Sequence, residues 1–551
     1  MDTPPMAGAA GDSTAAAATA GLPYTKLLAA VFVAALAYRL LGSPRKDRVM
    51  PVWVPIEIFV ASTCLVADGV ALKLLSLVRR YGGSLFGITS QHQVIHNLKG
   101  VERLFAAPFH TLDHEPVGYT ITVRVFGGED CKEMRDAMDR CQKDLFAAVE
   151  KGFVNESASL ASIQKADVGS RTYSFITFSS NADHLNPWER AADHKLIQPE
   201  SSTEPGVVEV GLENLIRNYG TAIAIPLLYG SDFLQRNPRL IEDFWKFDNV
   251  VFPLRMVGIP EWAPIKSLKE GLAARTRVLE ALLSLYERID KHIRGDESLD
   301  CDMSDVSQVA LDRCKSYMAN DVSFRHRADI DMGLLWGQNA NTQPLIYWFV
   351  VYVYATPGLL EAIREEMAPY VQLTTDGSTH HARISKIDYS GLSRDCPLLK
   401  SAYLETFRHA NEPSCLRYVG RDLSIADGEQ THHLAQGTWI TVPLAINQRS
   451  AAVYADPTKF APDRFIETDE ATGKRVARYG KLKPWGMGTG ICKGRTFAEK
   501  EILGVVASVV SLWDFEPADG SAWRVPDMKP GTGVMRPVND IRIRAKRRVV
   551  S

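Results

Sequence analysis

The sequence has few cysteines for its length, and no two of them are spaced like zinc ligands or like a disulfide framework. The 551 residues include eight cysteines, which are Cys64, Cys131, Cys141, Cys301, Cys314, Cys396, Cys415 and Cys492. Structural zinc sites and small secreted domains use close, repeated cysteine spacings. We therefore expect neither a zinc site nor a disulfide framework. The scattered cysteines favour a reducing, cytosol-facing location for the protein.

A strong charge of either sign is also lacking, because 63 basic residues nearly balance 65 acidic ones and leave a net charge of -2. The composition therefore offers no general attraction to nucleic acid. No dinucleotide or flavin fingerprint is present, so an NADPH or flavin site of the usual kind is not expected in this chain. The hydrophobic fraction of 46% is that of an ordinary folded protein.

One long hydrophobic run is present near the N-terminus. Residues 1–21 are mostly Ala, Gly, Ser, Thr and Pro, which predicts a flexible tail. Residues 22–42 form an apolar segment long enough to cross a bilayer as a helix. Arg45, Lys46 and Arg48 follow it, so the positive-inside rule places the rest of the chain in the cytosol. A cleaved signal peptide is the alternative, although no basic region precedes the run.

Residues 43–551 carry mostly helical patterns and are expected to form one catalytic domain. The long helical patterns lie at about 131–151, 269–292, 322–355, 358–370, 398–410 and 496–513. Short runs rich in β-branched and aromatic residues predict strands at 84–89, 118–125, 416–419 and 438–442. The mixture predicts a mainly α-helical fold with small peripheral β-sheets, without regular βαβ alternation.

A glycine-rich loop surrounds the last cysteine. Residues 484–495 read P-W-G-M-G-T-G-I-C-K-G-R, and a helical pattern follows. A cysteine just before a helix N-terminus can accept backbone N–H groups, which lowers the pKa of its thiol. The glycines let the backbone approach a flat ligand closely, and Trp485 can cover one side of the sulfur. A buried cysteine in a glycine-rich turn is the alternative.

The spacing of this loop resembles a known family motif. Trp485, Gly488, Cys492 and Gly494 stand where the cytochrome P450 superfamily has F-x-x-G-x-x-x-C-x-G, with Trp in the Phe position. The resemblance implies that Cys492 is the axial ligand of the iron of haem b, and that Trp485, Gly488 and Gly494 line the cofactor. It also implies the cytochrome P450 fold.

Two upstream motifs strengthen the resemblance. Glu405 and Arg408 in L-E-T-F-R-H are three residues apart on a helical pattern and can pair. Arg464 lies in the later P-D-R-F stretch. The resemblance makes these three the structural Glu-Arg-Arg triad that holds the cysteine-loop region in place. The motifs are specific because of their order and intervals, since an isolated E-x-x-R is frequent by chance.

The segment 322–355 contains L-L-W-G-Q-N-A-N-T-Q-P, where the superfamily commonly has A-G-x-[D/E]-T on the oxygen side of the haem. The corresponding residues are Gln338, Asn339, Ala340, Asn341 and Thr342. An amide thus replaces the usual acid. This departure, with Pro344, resembles the branch of cholesterol 7α-hydroxylase, sterol 12α-hydroxylase and prostacyclin synthase. Arg417 fits that branch as a haem propionate partner.

Pro344 lacks an N–H, so it leaves the carbonyl of Ala340 without its helical partner. We expect this carbonyl, with Asn341 and Thr342, to face water or dioxygen. Thr342 would deliver a proton to the oxygen, and Asn341 would order the water that resupplies it. A proline-kinked core helix with incidental amides is the alternative.

Two parts of the family pattern are less well matched. The position two before the cysteine, often Arg or His, is Gly490, and the second propionate partner stays open, with Arg140 and Lys143 as candidates.

Basic residues crowd the segment around the cysteine loop, opposed by Glu499 alone, and could dock an acidic reductase or simply be solvated. They are Lys474, Arg475, Arg478, Lys481, Lys483, Lys493, Arg495 and Lys500.

The resemblance implies a single-pass protein of the endoplasmic reticulum membrane whose catalytic domain faces the cytosol. As a haem-thiolate monooxygenase it would use O2 and electrons from NADPH-cytochrome P450 reductase, with cytochrome b5 as a second candidate donor. Its substrate would be a lipophilic sterol, terpenoid or polyketide, and the sequence looks like those of fungal biosynthetic enzymes. A reductase-independent haem-thiolate isomerase and a non-catalytic haem-binding sensor are the alternatives. Thr342 disfavours both of these.

Overall fold

The computed structural model describes residues 48–55, 84–86, 91–96, 98–200, 206–375 and 381–550. The predicted tail at 1–21 and the predicted transmembrane anchor at 22–42 lie outside the described residues. The described residues from Val49 onward form one compact unit. No single described helix has the length and hydropathy of a membrane span; the bent pair Phe324–Ala355 and Leu359–Met367 meets these criteria only when taken together, with 111° between its members.

Helices dominate the described structure. In chain order they span Val101–Phe105, Glu115–Ile121, Lys132–Val149, Glu156–Lys165, Val168–Tyr173, Pro187–Ala191, Leu212–Tyr229, Ser231–Arg236, Leu240–Lys246, Phe252–Met256, Lys266–Arg294, Gln308–Ala319, Phe324–Asn339, Thr342–Ala355, Leu359–Met367, Tyr389–Arg394, Pro397–Ala410, Ala445–Gln448 and Arg495–Leu512. Wider π turns extend three of them, at Thr122–Phe126, Glu150–Val154 and Phe247–Val251. Short 3-10 turns lie at Ala182–His184 and Gly488–Gly490.

The described strands form small sheets at the periphery. The largest has the strand order Leu85–Phe86, His92–Ile95, Trp439–Pro443, Ser414–Val419 and Leu112–Asp113. The next has the order Trp513–Pro517, Arg542–Arg547, Val207–Gly211 and Lys195–Gln198. Two-stranded sheets pair Val371–Thr375 with Ala382–Ile387, Leu423–Asp427 with Gln430–Leu434, Ile466–Thr468 with Arg475–Ala477, and Met528–Lys529 with Arg536–Pro537. The prediction of a mainly helical fold with small sheets is confirmed.

The strand predicted at 118–125 is wrong, because this stretch is the helix Glu115–Ile121 continued by the π turn Thr122–Phe126. Its β-branched residues favoured a strand. Pro116 lies in the first turn of the helix, where no N–H is needed, and two threonines bond their hydroxyls to carbonyls of the preceding turn. Thr120 donates to the Pro116 carbonyl at 2.6 Å, and Thr122 donates to the Gly118 carbonyl at 3.0 Å. Burial of this helix in the fold outweighs the local preference.

The predicted helix at 322–355 is two helices, Phe324–Asn339 and Thr342–Ala355, separated at Ala340 and Asn341. Twelve of the 14 residues in Thr342–Ala355 are buried, so this helix is apolar all round and forms the centre of the core. It packs against the helices Leu212–Tyr229, Pro397–Ala410 and Arg495–Leu512. The core therefore brings Thr342 and the helix that follows Cys492 into one rigid assembly.

The crossing of Leu212–Tyr229 with Thr342–Ala355 depends on Gly220. A Cβ at Gly220 would lie 1.8 Å from Oε1 of the buried Gln343. We expect Gly220→Ala to lower the free energy of unfolding by about 1–3 kcal/mol, because Gln343 must shift in a packed core. Urea unfolding followed by tryptophan fluorescence measures the change.

Gly337→Ala is the matched control, since this helical glycine has nothing within 4 Å of an added Cβ. There alanine should raise the free energy of unfolding by up to about 1 kcal/mol through helix propensity. Equal effects of the two substitutions would contradict the proposed close helix crossing.

Candidate functional site

Cys492 lies in a closed loop immediately before the helix Arg495–Leu512. Its backbone N–H donates to the Trp485 carbonyl at 3.0 Å, and the N–H of Ile491 donates to the Gly488 carbonyl at 3.2 Å. The Cys492 side chain is accessible, yet burial among protein atoms is the main influence on its pKa. The sulfur is therefore accessible but closely surrounded by protein atoms.

The electrostatics of the Cys492 thiol differ from the sequence prediction. Burial raises the pKa of the thiol above its ordinary value, while the backbone N–H of Gly494, the charge and N–H of Arg495 and the charge of Lys493 oppose the rise. The donors expected at the helix start are therefore in place, but desolvation outweighs them. A cation bonded to the sulfur would complete the stabilisation of a thiolate.

Trp485 anchors the other end of the loop. Its ring packs edge-on against Phe407, with 4.9 Å between centroids. Its indole N–H donates to the Tyr479 hydroxyl at 3.1 Å, and that hydroxyl donates to Glu499 at 2.8 Å. Glu499 in turn pairs with Lys400. Because Phe407 and Lys400 lie on Pro397–Ala410 while Glu499 lies on Arg495–Leu512, Trp485 links the loop to both helices.

The structure brings Glu405, Arg408 and Arg464 together. Arg408 makes a bidentate pair with Glu405, both hydrogen bonds being 2.8 Å, and Nε of Arg464 donates to Glu405 at 2.9 Å. Burial alone would raise the pKa of Glu405, but hydrogen bonds from Arg408, His409 and the Ala461 N–H hold it at about 2. The carboxylate is therefore charged although its side chain has no exposed surface.

The two arginines of the triad also donate to backbone carbonyls of the chain that precedes the cysteine loop. Arg408 donates to the carbonyls of Gln448 at 2.8 Å and Pro457 at 2.7 Å. Arg464 donates to the Ala455 carbonyl at 2.6 Å. The loop itself is contacted from the same helix end by Asn411, whose amide donates to the Pro484 carbonyl at 3.3 Å. The triad and the loop thus share one supporting helix.

Arg417 reaches the cysteine loop from the strand Ser414–Val419. Its guanidinium donates to the Met487 carbonyl at 3.1 Å, while its buried Nε has no partner among the described residues. A Cβ at Gly490 would lie 2.6 Å from Nη2 of Arg417. The glycine that departs from the family pattern therefore leaves the space that this guanidinium occupies.

His114 is a site residue that the sequence analysis missed. Its ring stacks between Phe109 and Phe146, at centroid distances of 5.0 and 5.7 Å. Burial, followed by the charges of Arg417 and Lys493, lowers the pKa of His114 to about 4, so the imidazole is neutral at pH 7. Its Nδ1 is buried and lacks a partner within the described chain. No motif spacing connects this histidine with the cysteine loop, so the sequence carried no signal for it.

The two earlier propionate candidates lie elsewhere. Arg140 and Lys143 are exposed on the helix Lys132–Val149. Arg140 donates to the Asn320 carbonyl at 3.2 Å. Neither has a described contact with Arg417 or with the cysteine loop, in contrast to His114, whose pKa responds to Arg417 and Lys493.

The helix break beside Thr342 is filled by protein groups, which corrects the expectation of an open Ala340 carbonyl. Arg536 donates to this carbonyl at 3.1 Å. The N–H of Val534 donates to Oδ1 of Asn341 at 2.9 Å. The hairpin of Met528–Lys529 and Arg536–Pro537 therefore supplies the donor for the carbonyl that Pro344 leaves without a helical partner. The segment that connects its strands bonds to Asn341. Thr342 is buried, and its hydroxyl makes no hydrogen bond within the described part of the chain.

A buried carboxyl group contacts Gln343, the residue that follows Thr342. Nε2 of Gln343 donates to Glu501 at 2.9 Å, and Glu501 pairs with no cation among the described residues. Burial raises the pKa of Glu501 to about 7, and the bond from Gln343 opposes the rise. Sequence reasoning missed this pair, although a lone acid within the apolar stretch E-I-L-G-V-V-A-S-V-V was a signal for it.

The basic segment around the loop is partly neutralised within the chain. Lys483 pairs with Glu102 at 3.3 Å, Lys500 with Glu156 at 2.7 Å, and Arg478 with Glu467 at 2.7 Å. Lys493 pairs with Glu150. These pairs reduce the positive patch that the sequence predicted, because four of its eight members have acidic partners.

Comparisons with known proteins agree with this geometry. The family model for cytochrome P450 matches residues 247–544. The chain is 27% identical to a cytochrome P450 monooxygenase of Gibberella zeae over 59% of its own length and 60% of that protein. It is 26% identical to a 25-hydroxycholesterol 7-alpha-hydroxylase of Rattus norvegicus, over 59% of this chain and 76% of the relative.

The fold is also similar to that of a retinoic acid-bound cyanobacterial CYP120A1. The TM-score is 0.59 at 16% sequence identity, covering 88% of this chain and 96% of that one. At this level of identity the likeness concerns the fold alone.

The cysteine loop should not tolerate a side chain at Gly488. This residue has a φ of 67°, and a Cβ there would lie 1.9 Å from the Phe105 carbonyl oxygen. Gly488→Ala should lower the free energy of unfolding by about 3 kcal/mol or more, because backbone must move. Haem content per folded protein, measured by absorbance, should fall with it.

Gly480→Ala separates backbone strain from this clash. Gly480 also has a positive φ, of 51°, but nothing lies within 4 Å of an added Cβ. Its substitution should cost about 1–2 kcal/mol and leave haem content unchanged. If both variants lost haem equally, the close approach to Phe105 would not be the cause.

Glu501 should make stability depend on pH. Its pKa rises from 4.5 in the unfolded chain to about 7 in the fold, so its contribution is fully present below pH 4.5 and is lost as pH rises through 7. The loss amounts to about 3 kcal/mol. Urea unfolding of the wild type and of Glu501→Gln across this range measures it. The variant should lack this part of the decline; identical pH profiles would contradict the assignment.

Proposed function

Because the chain belongs to the cytochrome P450 family, we propose that it is a membrane-anchored haem-thiolate monooxygenase acting on a lipophilic small molecule. The observation that carries the proposal is Cys492 itself, an accessible thiol within the fold that receives backbone N–H groups at a helix start. The chain spans 60% of the length of its fungal relative, so activity, substrate and partners are inferred from the site.

Haem b fits the residues around this thiol. Arg417 Nε and His114 Nδ1 are buried polar atoms without described partners, and a propionate carboxylate is a suitable group for such atoms. Gly488, Gly490 and Gly494 keep side chains away from the loop surface. When bound, haem supplies an iron centre that reduces dioxygen and transfers one oxygen atom to the substrate.

The protein residues have separate tasks in this proposal. Cys492 would hold the haem iron through its sulfur, and the N–H groups of Gly494 and Arg495, which donate to that sulfur, would moderate its charge. The Thr342 hydroxyl passes a proton to dioxygen. Oδ1 of Asn341 already accepts the N–H of Val534, so we assign the Nδ2 amide group of Asn341 to orient the water that returns a proton to Thr342.

Electrons would come from a separate NADPH-cytochrome P450 reductase, with cytochrome b5 as a second candidate donor. Four of the predicted basic residues form no ion pair within the described chain, and these are the candidates for docking an acidic partner. They are Lys474, Arg475, Lys481 and Arg495. Their positive charge would act mainly on the association rate.

The proposed organisation is a tail at 1–21, an anchor at 22–42 and a catalytic domain at 43–551. The anchor would hold the protein in the endoplasmic reticulum membrane with the catalytic domain in the cytosol. A membrane position suits a substrate that partitions into lipid. The names of the relatives, a fungal monooxygenase and a hydroxycholesterol hydroxylase, favour a sterol, terpenoid or polyketide of specialised metabolism.

Thr342 gives the sharpest test of this function. Full-length protein in microsomes with reductase and NADPH would be incubated with sterol, terpenoid and polyketide candidates, and products identified by mass spectrometry. Thr342→Ala should yield roughly a hundredfold less product for each NADPH consumed, because the proton donor is lost. Thr342→Ser, which keeps the hydroxyl, should retain most of the yield.

Other outcomes would contradict the proposal. Conversion of an oxygenated substrate without NADPH would indicate a haem-thiolate isomerase. Binding of substrates with no product under any condition would indicate a haem-binding sensor. Equal product yields from Thr342→Ala and the wild type would remove Thr342 from the proton path.

A further inference from the structure

The carboxylate of Asp248 is buried at a point where separate parts of the chain meet. It is 1% exposed and lies in the π turn Phe247–Val251, which continues the helix Leu240–Lys246. Wider helical turns of this kind are frequent at functional sites. The chemistry assigned above to the cysteine loop and to Thr342 makes no use of this carboxylate.

Both oxygens of Asp248 accept hydrogen bonds from other elements. Oδ1 accepts the indole N–H of Trp336 at 2.9 Å and the hydroxyl of Thr532 at 3.3 Å. Oδ2 accepts an N–H of the Arg536 guanidinium at 2.6 Å, which is a charge-assisted bond. Trp336 belongs to the helix Phe324–Asn339, which precedes the break, whereas Thr532 and Arg536 belong to the C-terminal hairpin. The carboxylate therefore links that helix to the hairpin.

The C-terminal hairpin consists of the strands Met528–Lys529 and Arg536–Pro537 and the segment that connects them. Its connecting segment is bonded to the core through the backbone. The N–H of Met535 donates at 2.7 Å to the carbonyl of Ala410, which is the last residue of a core helix. The hairpin is thus a fixed support for the groups that contact it.

The hairpin bonds to the helix break and to the helix that follows the break. Arg536 donates to the Ala340 carbonyl at 3.1 Å through the same nitrogen that contacts Asp248. The carbonyl of Met535 accepts the indole N–H of Trp348 at 2.7 Å, and this tryptophan lies on the helix that begins at Thr342. Hydrogen bonds therefore connect both helices to the hairpin, and those of the first helix run through Asp248.

The position of Arg536 depends on Asp248. Arg536 is 6% exposed, and its guanidinium lies over the ring of Trp245 at 5.4 Å. A buried guanidinium that loses its carboxylate partner is destabilising, so it moves toward water or another acceptor. Such a movement withdraws the donor from the Ala340 carbonyl.

We propose that Asp248 is a positioning residue for the oxygen side, because it fixes the two helices that meet at the break before Thr342. The helix before the break bonds to Asp248 through Trp336, and the break bonds to it through Arg536. Loss of the carboxylate releases both contacts and with them the fixed place of the Thr342 hydroxyl. The effect on proton delivery rests on the proposed function, whereas the fixing of the break does not.

Hydrogen–deuterium exchange with mass spectrometry, on purified full-length holoprotein, measures how firmly the break is held. The reporting amide is that of Leu345, which donates across the break to the Asn341 carbonyl at 3.2 Å. Asp248→Asn keeps the size of the side chain and removes its charge. Residues 336–345 should then exchange about tenfold faster, because the break opens more often.

Asp243→Asn is the matched control for the loss of a buried carboxylate. Asp243 is 2% exposed on the helix Leu240–Lys246 and accepts a hydrogen bond from Arg277 at 2.8 Å. This variant should leave the exchange of residues 336–345 unchanged. Wild-type exchange in Asp248→Asn, or equal acceleration by both substitutions, would overturn the proposal.

Trp336→Phe is a milder variant that removes one hydrogen bond to Asp248. The Trp336 ring stacks on Phe252 with 4.7 Å between centroids, and phenylalanine can keep this contact. The same amides should exchange faster than in the wild type, but less so than in Asp248→Asn. If Asp248→Asn does not fold, this variant decides the question, and an unchanged exchange rate would overturn the proposal.

Product formation tests the consequence for the reaction. In microsomes with reductase and NADPH, Asp248→Asn should yield about tenfold less product for each NADPH consumed, while NADPH consumption continues. A mere loss of folded enzyme would lower both in proportion. Because Asp248 acts through Thr342, adding Asp248→Asn to Thr342→Ala should cause no further fall in this yield.

The outcomes separate this proposal from the proposed function. An unchanged yield in Asp248→Asn, or a full additive fall in the double variant, would overturn the role of Asp248 in the reaction. A wild type that forms no product would contradict the monooxygenase function instead. The exchange experiment would still decide whether Asp248 fixes the helix break, because it does not depend on turnover.

Discussion

The sulfur of Cys492 is accessible although protein atoms crowd around it, and the rest of the site depends on keeping it so. Burial disfavours its anion, and the N–H groups of Gly494 and Arg495 offset only part of that cost. The surrounding loop must therefore be rigid as well as open. Trp485 provides rigidity by bonding to Tyr479 and packing on Phe407.

The buried, charged carboxylate of Glu405 supports the same loop indirectly, through the chain that precedes it. Glu405 remains ionised without exposed surface because two arginines and a backbone N–H bond to it. Removing one partner of such an arrangement leaves a buried charge unpaired, which costs about 3–5 kcal/mol. The triad therefore matters more for the position of the supporting chain than for the net free energy of unfolding. It holds the segment before the loop against the helix that contacts Trp485.

The sequence predicted local features well and long-range ones poorly. Most of the long helices, three of the four predicted strands and the placement of Cys492 before a helix followed from hydrophobic periodicity, residue type and motif spacing. Three features did not follow, because each joins distant parts of the chain. Arg536 fills the break at Ala340 from 196 residues away, and His114 approaches Arg417 and Lys493 without any shared motif. The helix at 115–121 depended on burial that no local window contains.

These long-range contacts also change the hydrogen bonding that the sequence predicted around Thr342. An open carbonyl beside Pro344 was a reasonable expectation from helix geometry, but the C-terminal hairpin satisfies it. The Thr342 hydroxyl makes no hydrogen bond within the described chain. The side-chain oxygen of Asn341 accepts the N–H of Val534. Among the described residues, fewer polar groups beside Thr342 are therefore open to water than the sequence suggested.

X-ray absorption at the iron edge of the purified resting holoprotein tests the central claim most directly. The account predicts one sulfur scatterer bonded to iron in the wild type, replaced by an oxygen or nitrogen scatterer in Cys492→Ser. A wild-type spectrum without iron–sulfur scattering, or a sulfur ligand that persists in the serine variant, would contradict it.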